Sequence, residues 1–381
     1  MGIKREYLAS QDIIEVDGRI IVANPYGNSI YQYDAKDYKL LCSANVEHEQ
    51  NNQQLLFMKS EIMGNKVYFA PYFAEKICVY DYLNNSTDSI SIELFETKEN
   101  NKQESKYMNI FKYKEYIYFL GYNQPSIIKL NTITGELKYI RDWLKKINVD
   151  VDIWGYFSKG VNIVGEKALI PLGCAGKLIE LDLLTDTTKV INASFSDELS
   201  GIGGISTDNN GIIWVTARNS KEHIIIAWNK INNTHKKYNL PTPISNTCMY
   251  YEPIIYGNDI LIMPETMDHA YIYSKNEDAF FINGDIDEVI SPYKGSKLFG
   301  SCVTSLRRNG NSLYFFSTTD YKWNKVELET GEREKFSLKN NQKGKDDYLS
   351  VITNLIDEKN VLQENDVELD DFVRCVKHGD Y

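Results

Sequence analysis

Short apolar runs, each introduced by a polar turn pair, recur along most of the chain. Seven such runs follow pairs built from Gly, Asn, Asp, Lys or Glu, and they read RIIVANPY, KVYFAPYF, YIYFLGY, KALIPLG, IIWVTAR, DILIMPE and SLYFFST. From Gly18 to Gly310 the turn pairs recur about every 49 residues. Because Gly, Asn and Asp tolerate the positive φ angles of tight hairpins, each pair predicts a turn between two strands.

A second short run follows each of the first and ends on a turn-forming polar residue. The copies read IYQYD, ICVYD, IIKLN, LIELD, IIIAWN, AYIYS and, more weakly, NKVELET. Period-2 alternation in these runs predicts strands with one buried face and one less buried face. Each unit therefore predicts four antiparallel strands, A to D, which is typical of a propeller blade. We predict an all-β fold, a seven-bladed β-propeller over residues 1–340.

Two stretches interrupt the repeat. The segment RDWLKKI at 141–147 predicts a helical turn between the third and fourth blades. An acidic extension at 341–381 lies outside the seven units, and its apolar residues follow a helical spacing. We expect a short amphipathic helix there, packed on the propeller or docking on a partner. The residues of that spacing are Leu369, Phe372, Val373 and Val376.

The fifth unit, at residues 204–241, carries a recognisable pattern. It comprises Asp208, the Asn210-Gly211 turn, the Ile213-Trp214-Val215 strand, the Trp228-Asn229 strand end and the closing Tyr238-Asn239-Leu240-Pro241. This unit resembles the repeats of streptogramin lyase-like propellers and of two-component regulator propellers. The resemblance implies the fold, and a lyase of that type implies a metal-supported cluster of His and Glu. The five histidines, His48, His223, His235, His269 and His378, do not match that catalytic pattern.

Composition and charge limit the classes of partner that the chain is expected to bind. The chain has 27 tyrosines and 15 phenylalanines among 381 residues, which suits pleated sheets. Its net charge of −11 argues against nucleic acid, because that partner needs a basic surface. The six cysteines are widely scattered with no CxxC pair, so we expect reduced thiols, no zinc site and no cofactor. The first eighteen residues lack the apolar core of a signal peptide, and no apolar run is long enough for a membrane span, so we expect a cytoplasmic protein.

Seven equivalent positions, at the end of strand B in each unit, predict a binding mouth. In a propeller, the B–C and D–A loops lie on one face around the central channel, and such loops are the usual binding surface. The positions hold Tyr26, Tyr72, Tyr122, Gly173, Arg218, Glu265 and Thr318. The three tyrosines present flat apolar faces with polar tips, which suit sugar rings or peptides, or else they pack between blades.

Other candidates lie in the loops of the same face. Arg218 and Glu265 predict an inter-blade ion pair or an anion-binding Arg that the Glu orients. Trp154 and Tyr156 stand in a long polar connection, and His269 is a solvated residue, a general base or a metal ligand. The acidic run with Asp285, Asp287 and Glu288 lacks the full spacing of a calcium loop, so it is expected to be a solvated turn.

Three functional hypotheses remain open at this point. The first is a non-catalytic propeller that binds a protein, peptide or carbohydrate ligand on the loop-rich face. The second is a lyase or hydrolase that uses His269 and Glu265 with a divalent metal. The third is a sensor or scaffold module that engages its partner through the acidic extension. The sequence leaves the oligomeric state open.

Overall fold

Seven four-stranded antiparallel sheets make up the protein, so the predicted seven-bladed propeller is confirmed. The computed structural model describes residues 8–339 except 9, 26, 48, 50–54, 96–104, 148–154, 221–222, 245, 247, 267 and 293–301. The extension at 341–381, with its predicted helix, lies outside the described residues. That domain boundary therefore stays a prediction.

Each blade is a simple meander of consecutive strands, with a short β21 as one addition that pairs with β18. The first three blades contain β1 (Ile14–Val16), β2 (Arg19–Ala23), β3 (Ser29–Asp34), β4 (Leu40–Asn45), β5 (Phe57–Met63), β6 (Lys66–Pro71), β7 (Lys76–Asp81), β8 (Ser86–Ser91), β9 (Tyr107–Tyr113), β10 (Tyr116–Gly121), β11 (Ile127–Asn131) and β12 (Leu137–Ile140). The fourth and fifth contain β13 (Asn162–Val164), β14 (Lys167–Pro171), β15 (Leu178–Asp182), β16 (Thr188–Ile191), β17 (Ile202–Thr207), β18 (Ile212–Ser220), β19 (Ile224–Asn229), β20 (Thr234–Asn239) and β21 (Cys248–Met249). The last two contain β22 (Ile254–Tyr256), β23 (Asp259–Ile262), β24 (Tyr271–Ser274), β25 (Ala279–Ile282), β26 (Val303–Asn309), β27 (Ser312–Ser317), β28 (Lys322–Glu327) and β29 (Arg333–Phe336).

The polar residue that ends the second run shapes the turn between strands C and D. In the second blade, Asp81 Oδ1 accepts hydrogen bonds from the backbone N–H groups of Leu83 and Asn84, both at 3.0 Å. Asp34, Asn131, Asp182 and Asn229 make the same pair of bonds in four other blades. A short polar side chain is needed here because it replaces the missing backbone partner of the turn.

The hydrophobic core is a ring of clusters that lie between adjacent blades. One cluster joins the first and second blades, for example, and includes Ile21, Phe57 and Tyr80. The predicted alternation holds for outer strands such as β4, but the middle strands β2 and β3 are buried along nearly their whole length. The prediction of one less buried face was wrong for those strands, because a neighbouring blade covers each of their faces.

The ring closes between the seventh and first blades without a shared sheet, and each of these blades has four strands of its own. The backbone N–H of Leu8 donates to the carbonyl of Leu338 at 2.8 Å, which ties the two ends of the described chain together. Asp12 adds a polar tie, since its Oδ2 accepts from the Ser60 N–H at 2.8 Å and from Arg307 at 3.2 Å. Closure therefore combines apolar packing with bonds across three blades.

Two short helices flank the blades. The predicted helical turn is a 3₁₀ helix at Asp142–Lys146, whose Trp143 is fully buried. The acidic run forms an α-helix, α1, at Gly284–Ile290, so the expected solvated turn was wrong. Asn283 caps α1 by accepting a hydrogen bond from the Ile286 N–H. The apolar side of α1 packs Ile286 and Ile290 into the core. In the described part of the chain, no helix is long and apolar enough to cross a membrane.

The cysteines agree with the expectation of thiols. Cys42, Cys78, Cys174 and Cys302 are free, and two of them, Cys78 and Cys302, are buried. The side chains of Cys248 and Cys375 lie outside the described residues. Burial raises the pKa of the Cys302 thiol to about 11, so this group stays protonated at neutral pH.

Candidate functional site

A chain of backbone hydrogen bonds fixes the ends of the B strands around the mouth of the channel. The Lys106 N–H donates to the Tyr72 carbonyl at 2.6 Å, and the Lys106 carbonyl accepts from the Tyr122 N–H at 2.7 Å. The Tyr122 carbonyl in turn accepts from the Tyr156 N–H at 2.7 Å, and the Tyr156 carbonyl accepts from Gly173 at 2.9 Å. Three of the seven predicted positions, Tyr72, Tyr122 and Gly173, thus follow one another in adjacent blades.

Tyr72 and Tyr122 form an aromatic pair at this mouth. Their ring centroids lie 5.7 Å apart, with an interplanar angle of 57°. Both side chains are half-buried, and Gly155 lies so close to the Tyr122 ring that a Cβ there would come within 2.6 Å of it. Each tyrosine therefore packs on the protein with part of its surface and leaves part exposed. Burial raises the pKa of Tyr122 to about 12, so its hydroxyl remains neutral.

Three charged residues stand beside the tyrosine pair. The Arg218 guanidinium carbon lies 6.0 Å from the centroid of the Tyr122 ring. The Lys159 ammonium lies 2.5 Å from Glu265 Oε1 and 4.0 Å from the centroid of the Tyr251 ring. Glu265 thus forms an ion pair with Lys159, and its predicted pairing with Arg218 stays a prediction. We define Tyr72, Tyr122, Lys159, Arg218 and Glu265 as the mouth cluster.

The charges of the mouth cluster are coupled. Burial alone would raise the pKa of Glu265, but the positive charges of Lys159 and Arg218 bring that pKa below its usual value. Burial lowers the pKa of Lys159 despite the attraction of Glu265. Lys159 and Arg218 thus place two positive charges at the mouth, where the Glu265 and Glu252 carboxylates both act on Lys159.

Lys159 was missed by the sequence analysis. It lies in the connection before the fourth blade, where its backbone forms an isolated parallel bridge with Gly204 of the fifth blade. The Lys159 N–H donates to the Gly203 carbonyl at 3.2 Å. No repeat position or local pattern marks this residue, because its partner Glu265 is 106 positions away in the sequence.

His269 has a different environment from the one expected. It is buried, with only 3% of its surface exposed, and its Nδ1 contacts the Asp287 carboxylate of α1. Asp287 also accepts a hydrogen bond from the Ala270 N–H at 2.7 Å. The expectation of a solvated His was therefore wrong. The two residues of the enzyme hypothesis have separate partners, since Glu265 pairs with Lys159 and His269 with Asp287.

The remaining predicted site residues have mixed outcomes. Tyr156 is half-buried and packs edge-on against Trp143, with centroids 5.4 Å apart. Tyr26 and Trp154 lie outside the described residues. Among the described residues, no group of three His, Cys, Asp or Glu side chains is placed to hold a metal ion.

A sizeable cleft lies away from the mouth. A cleft of about 470 Å³ lies between the fifth and sixth blades, near the A–B turns at the opposite end of the strands. A smaller cavity of about 220 Å³ lies along the inner strands and is lined by Thr207 and Glu252, among others.

Comparisons with known proteins support the fold alone. No family model matches the chain, and no curated protein matches its sequence. Among solved structures, a catalytically inactive virginiamycin B lyase from Staphylococcus aureus with quinupristin is similar at a TM-score of 0.58 and 13% identity, covering 84% of this chain and 95% of that one. Hydrazine synthase from Kuenenia stuttgartiensis is similar at a TM-score of 0.56 and 13% identity, covering 87% and 99%. The fold-level resemblance to streptogramin lyase-like propellers is thus confirmed.

Proposed function

We propose that this propeller is a non-catalytic binding module that holds a peptide or glycan ligand with an acidic group at the mouth cluster. The observation that supports the proposal is the pair of half-buried tyrosine rings with the cations Lys159 and Arg218 beside them. The rings accept a flat apolar surface of the ligand, and the cations accept its carboxylate.

The rigidity of the mouth supports binding. The tyrosines are held through backbone hydrogen bonds to Lys106 between neighbouring blades, so little conformational entropy is lost when a ligand docks. Two closely spaced aromatic residues at the centre of a loop-rich face are typical of binding hot spots. The ligand contacts the exposed parts of the rings while their buried parts hold them in place.

The charge of the cluster supports an acidic ligand. Glu265 pairs with Lys159 at 2.5 Å. The guanidinium carbon of Arg218 lies 6.0 Å from the centroid of the Tyr122 ring, and the planar donor fork of an arginine matches the geometry of a carboxylate. A neutral ligand would pack on the tyrosine rings but would gain nothing from the cations beside them.

Matched arrays test the proposal. One array pairs peptides that differ only by Glu or Gln, and the other pairs glycans that differ only by a uronic acid or its neutral sugar. The wild type is expected to select acidic members, and the double variant Tyr72→Ala/Tyr122→Ala is expected to lose them. Tyr113→Ala is the control, because Tyr113 is a half-buried tyrosine at the opposite end of the third blade.

Two outcomes would contradict the proposal. One is the absence of any preference for acidic members over their neutral partners. The other is a binding signal that the double variant retains at wild-type strength. A loss that Tyr113→Ala shares would show that the effect is not specific to the mouth, and it counts against the proposal as well.

A further inference from the structure

The cleft between the fifth and sixth blades arises from a mismatch in strand length. The strands β17 to β20 of the fifth blade have six to nine residues, whereas β22 to β25 of the sixth have three or four. The shorter blade leaves part of its neighbour's face uncovered near the A–B turns. The resulting volume of about 470 Å³ is in the size range of small-molecule sites.

An aromatic wall forms the apolar side of this cleft. Trp214 lies 5.5 Å from Tyr238 and 4.9 Å from Tyr273, measured between ring centroids. The polar atoms of these rings already form hydrogen bonds within the protein. Both tyrosine hydroxyls donate to Asp278 Oδ1, at 2.7 and 2.8 Å, and Trp214 Nε1 donates to Asp208 at 3.1 Å. The wall is held in place by its own hydrogen bonds, and its exposed carbon surface comes mainly from the half-buried Tyr238, because Trp214 and Tyr273 are buried.

The rim of the cleft carries amides and a hydroxyl beside the side chains of Lys236, Lys275 and His235. Asn209, Asn210, Asn258 and Thr234 all line it and are exposed. An amide carries both a donor and an acceptor, which is also the capacity of a sugar hydroxyl. Lys236 pairs with Asp278 and His235 with Glu198, and Asp208 accepts from its own turn at 2.9 Å. A neutral, hydroxyl-rich ligand with one apolar face fits this lining.

We propose that this cleft is a second binding site, for a neutral mono- or disaccharide. The apolar face of the sugar ring packs on the carbon surface of the wall, and its hydroxyls exchange hydrogen bonds with the rim amides. The site is separate from the mouth cluster, at the opposite end of the blades, and it does not depend on an acidic ligand.

Saturation-transfer NMR on the full chain tests the site. The panel is glucose, galactose, mannose, N-acetylglucosamine, maltose and lactose. Each sugar is used at about 20 mM, because single sugars are expected to bind weakly. At least one sugar is expected to bind. Ala227→Phe fills the cleft from β19 and is expected to weaken that binding by about tenfold or more. The control is Ala44→Phe, the same change at a half-buried position between the first and second blades.

A second variant covers the case in which Ala227→Phe disturbs folding. Asn258→Ala removes one rim amide from an exposed turn and is expected to weaken binding about threefold to tenfold, the effect of one lost hydrogen bond. If no sugar of the panel binds, the proposal is wrong. If a sugar binds equally well to the wild type and to folded Ala227→Phe and Asn258→Ala proteins, the sugar occupies another place and the proposal is also wrong.

Discussion

The indole Nε1 of Trp323 donates a hydrogen bond of 3.0 Å to the carbonyl of Leu8, across 315 positions of the sequence. Trp323 is fully buried, and it belongs to the cluster that joins the seventh blade to the first. This bond holds the first described residue against the last blade, beside the backbone bond between Leu8 and Leu338. Trp323 therefore adds a side-chain bond to the packing and backbone contacts that close the ring without a shared strand.

Trp323→Phe is expected to lower the free energy of unfolding by about 2 kcal/mol, because it leaves a buried carbonyl without its donor and opens a small cavity. Urea denaturation followed by fluorescence measures the loss. Trp143→Phe is the control, since Trp143 is equally buried but its Nε1 bonds to Ile140, only three residues away. Limited proteolysis near residue 8 should be faster in Trp323→Phe alone, and equal rates in both variants would contradict the closing function of Trp323.

A close backbone contact predicts a position that accepts no side chain. A Cβ at Gly204 would lie 2.5 Å from the Cα of Glu252, and backbone cannot move aside cheaply. Gly204→Ala is expected to cost about 3 kcal/mol of stability through this overlap. Gly284→Ala is the matched control, because nothing lies within 4 Å of the Cβ it adds. Equal melting temperatures for the two variants would show that the fifth and sixth blades are not packed this closely.

Protonation of Asp278 at acid pH is expected to weaken the contact between the fifth and sixth blades. Hydrogen bonds from Lys236, Tyr238 and Tyr273 lower the pKa of Asp278 to about 2. Because this pKa is below the unfolded value of about 3.9, the contribution to stability is present above pH 4 and is lost as the pH falls toward 2. Asp278→Asn should melt below the wild type at pH 7, and the gap should close between pH 4 and pH 2. A gap that is constant over that range would contradict the assignment.

The ion pair of the mouth cluster predicts strong coupling between its two members. Glu265→Gln leaves the Lys159 ammonium without its partner in a site where that side chain is only 11% exposed. The free energy of unfolding is expected to fall by about 2 kcal/mol. This is below the range for fully buried pairs, because the Glu265 side chain is 30% exposed. The double variant Lys159→Met/Glu265→Gln should recover most of that stability. Additive losses in a double-mutant cycle would show that the pair is not coupled.

The repeat was predictable because each blade repeats the same local chemistry. Residues such as Asp81 and Asn229 are needed within their own turns, so they recur in the sequence at the blade spacing. The same logic located the ends of the B strands, and it brought Tyr72 and Tyr122 together correctly. Burial was harder to predict, because the strand pattern does not reveal that neighbouring blades cover both faces of β3.

The contacts between blades could not be read from the sequence. Lys159 pairs with Glu265 and His269 with Asp287 through residues that share no period or motif. The cleft beside Trp214 depends on the relative lengths of strands in two blades, which the turn spacing does not fix. The cytoplasmic location and the ligand class stay predictions.

Isothermal titration of the tightest acidic ligand from the arrays tests the proposed function most directly. Wild type, Tyr122→Ala and Tyr113→Ala are compared at a temperature where all three are folded. Tyr122→Ala is expected to weaken binding by about tenfold or more, as for an aromatic hot spot, while Tyr113→Ala stays within about twofold of the wild type. Equal affinities for Tyr122→Ala and the wild type would contradict a binding site at the mouth.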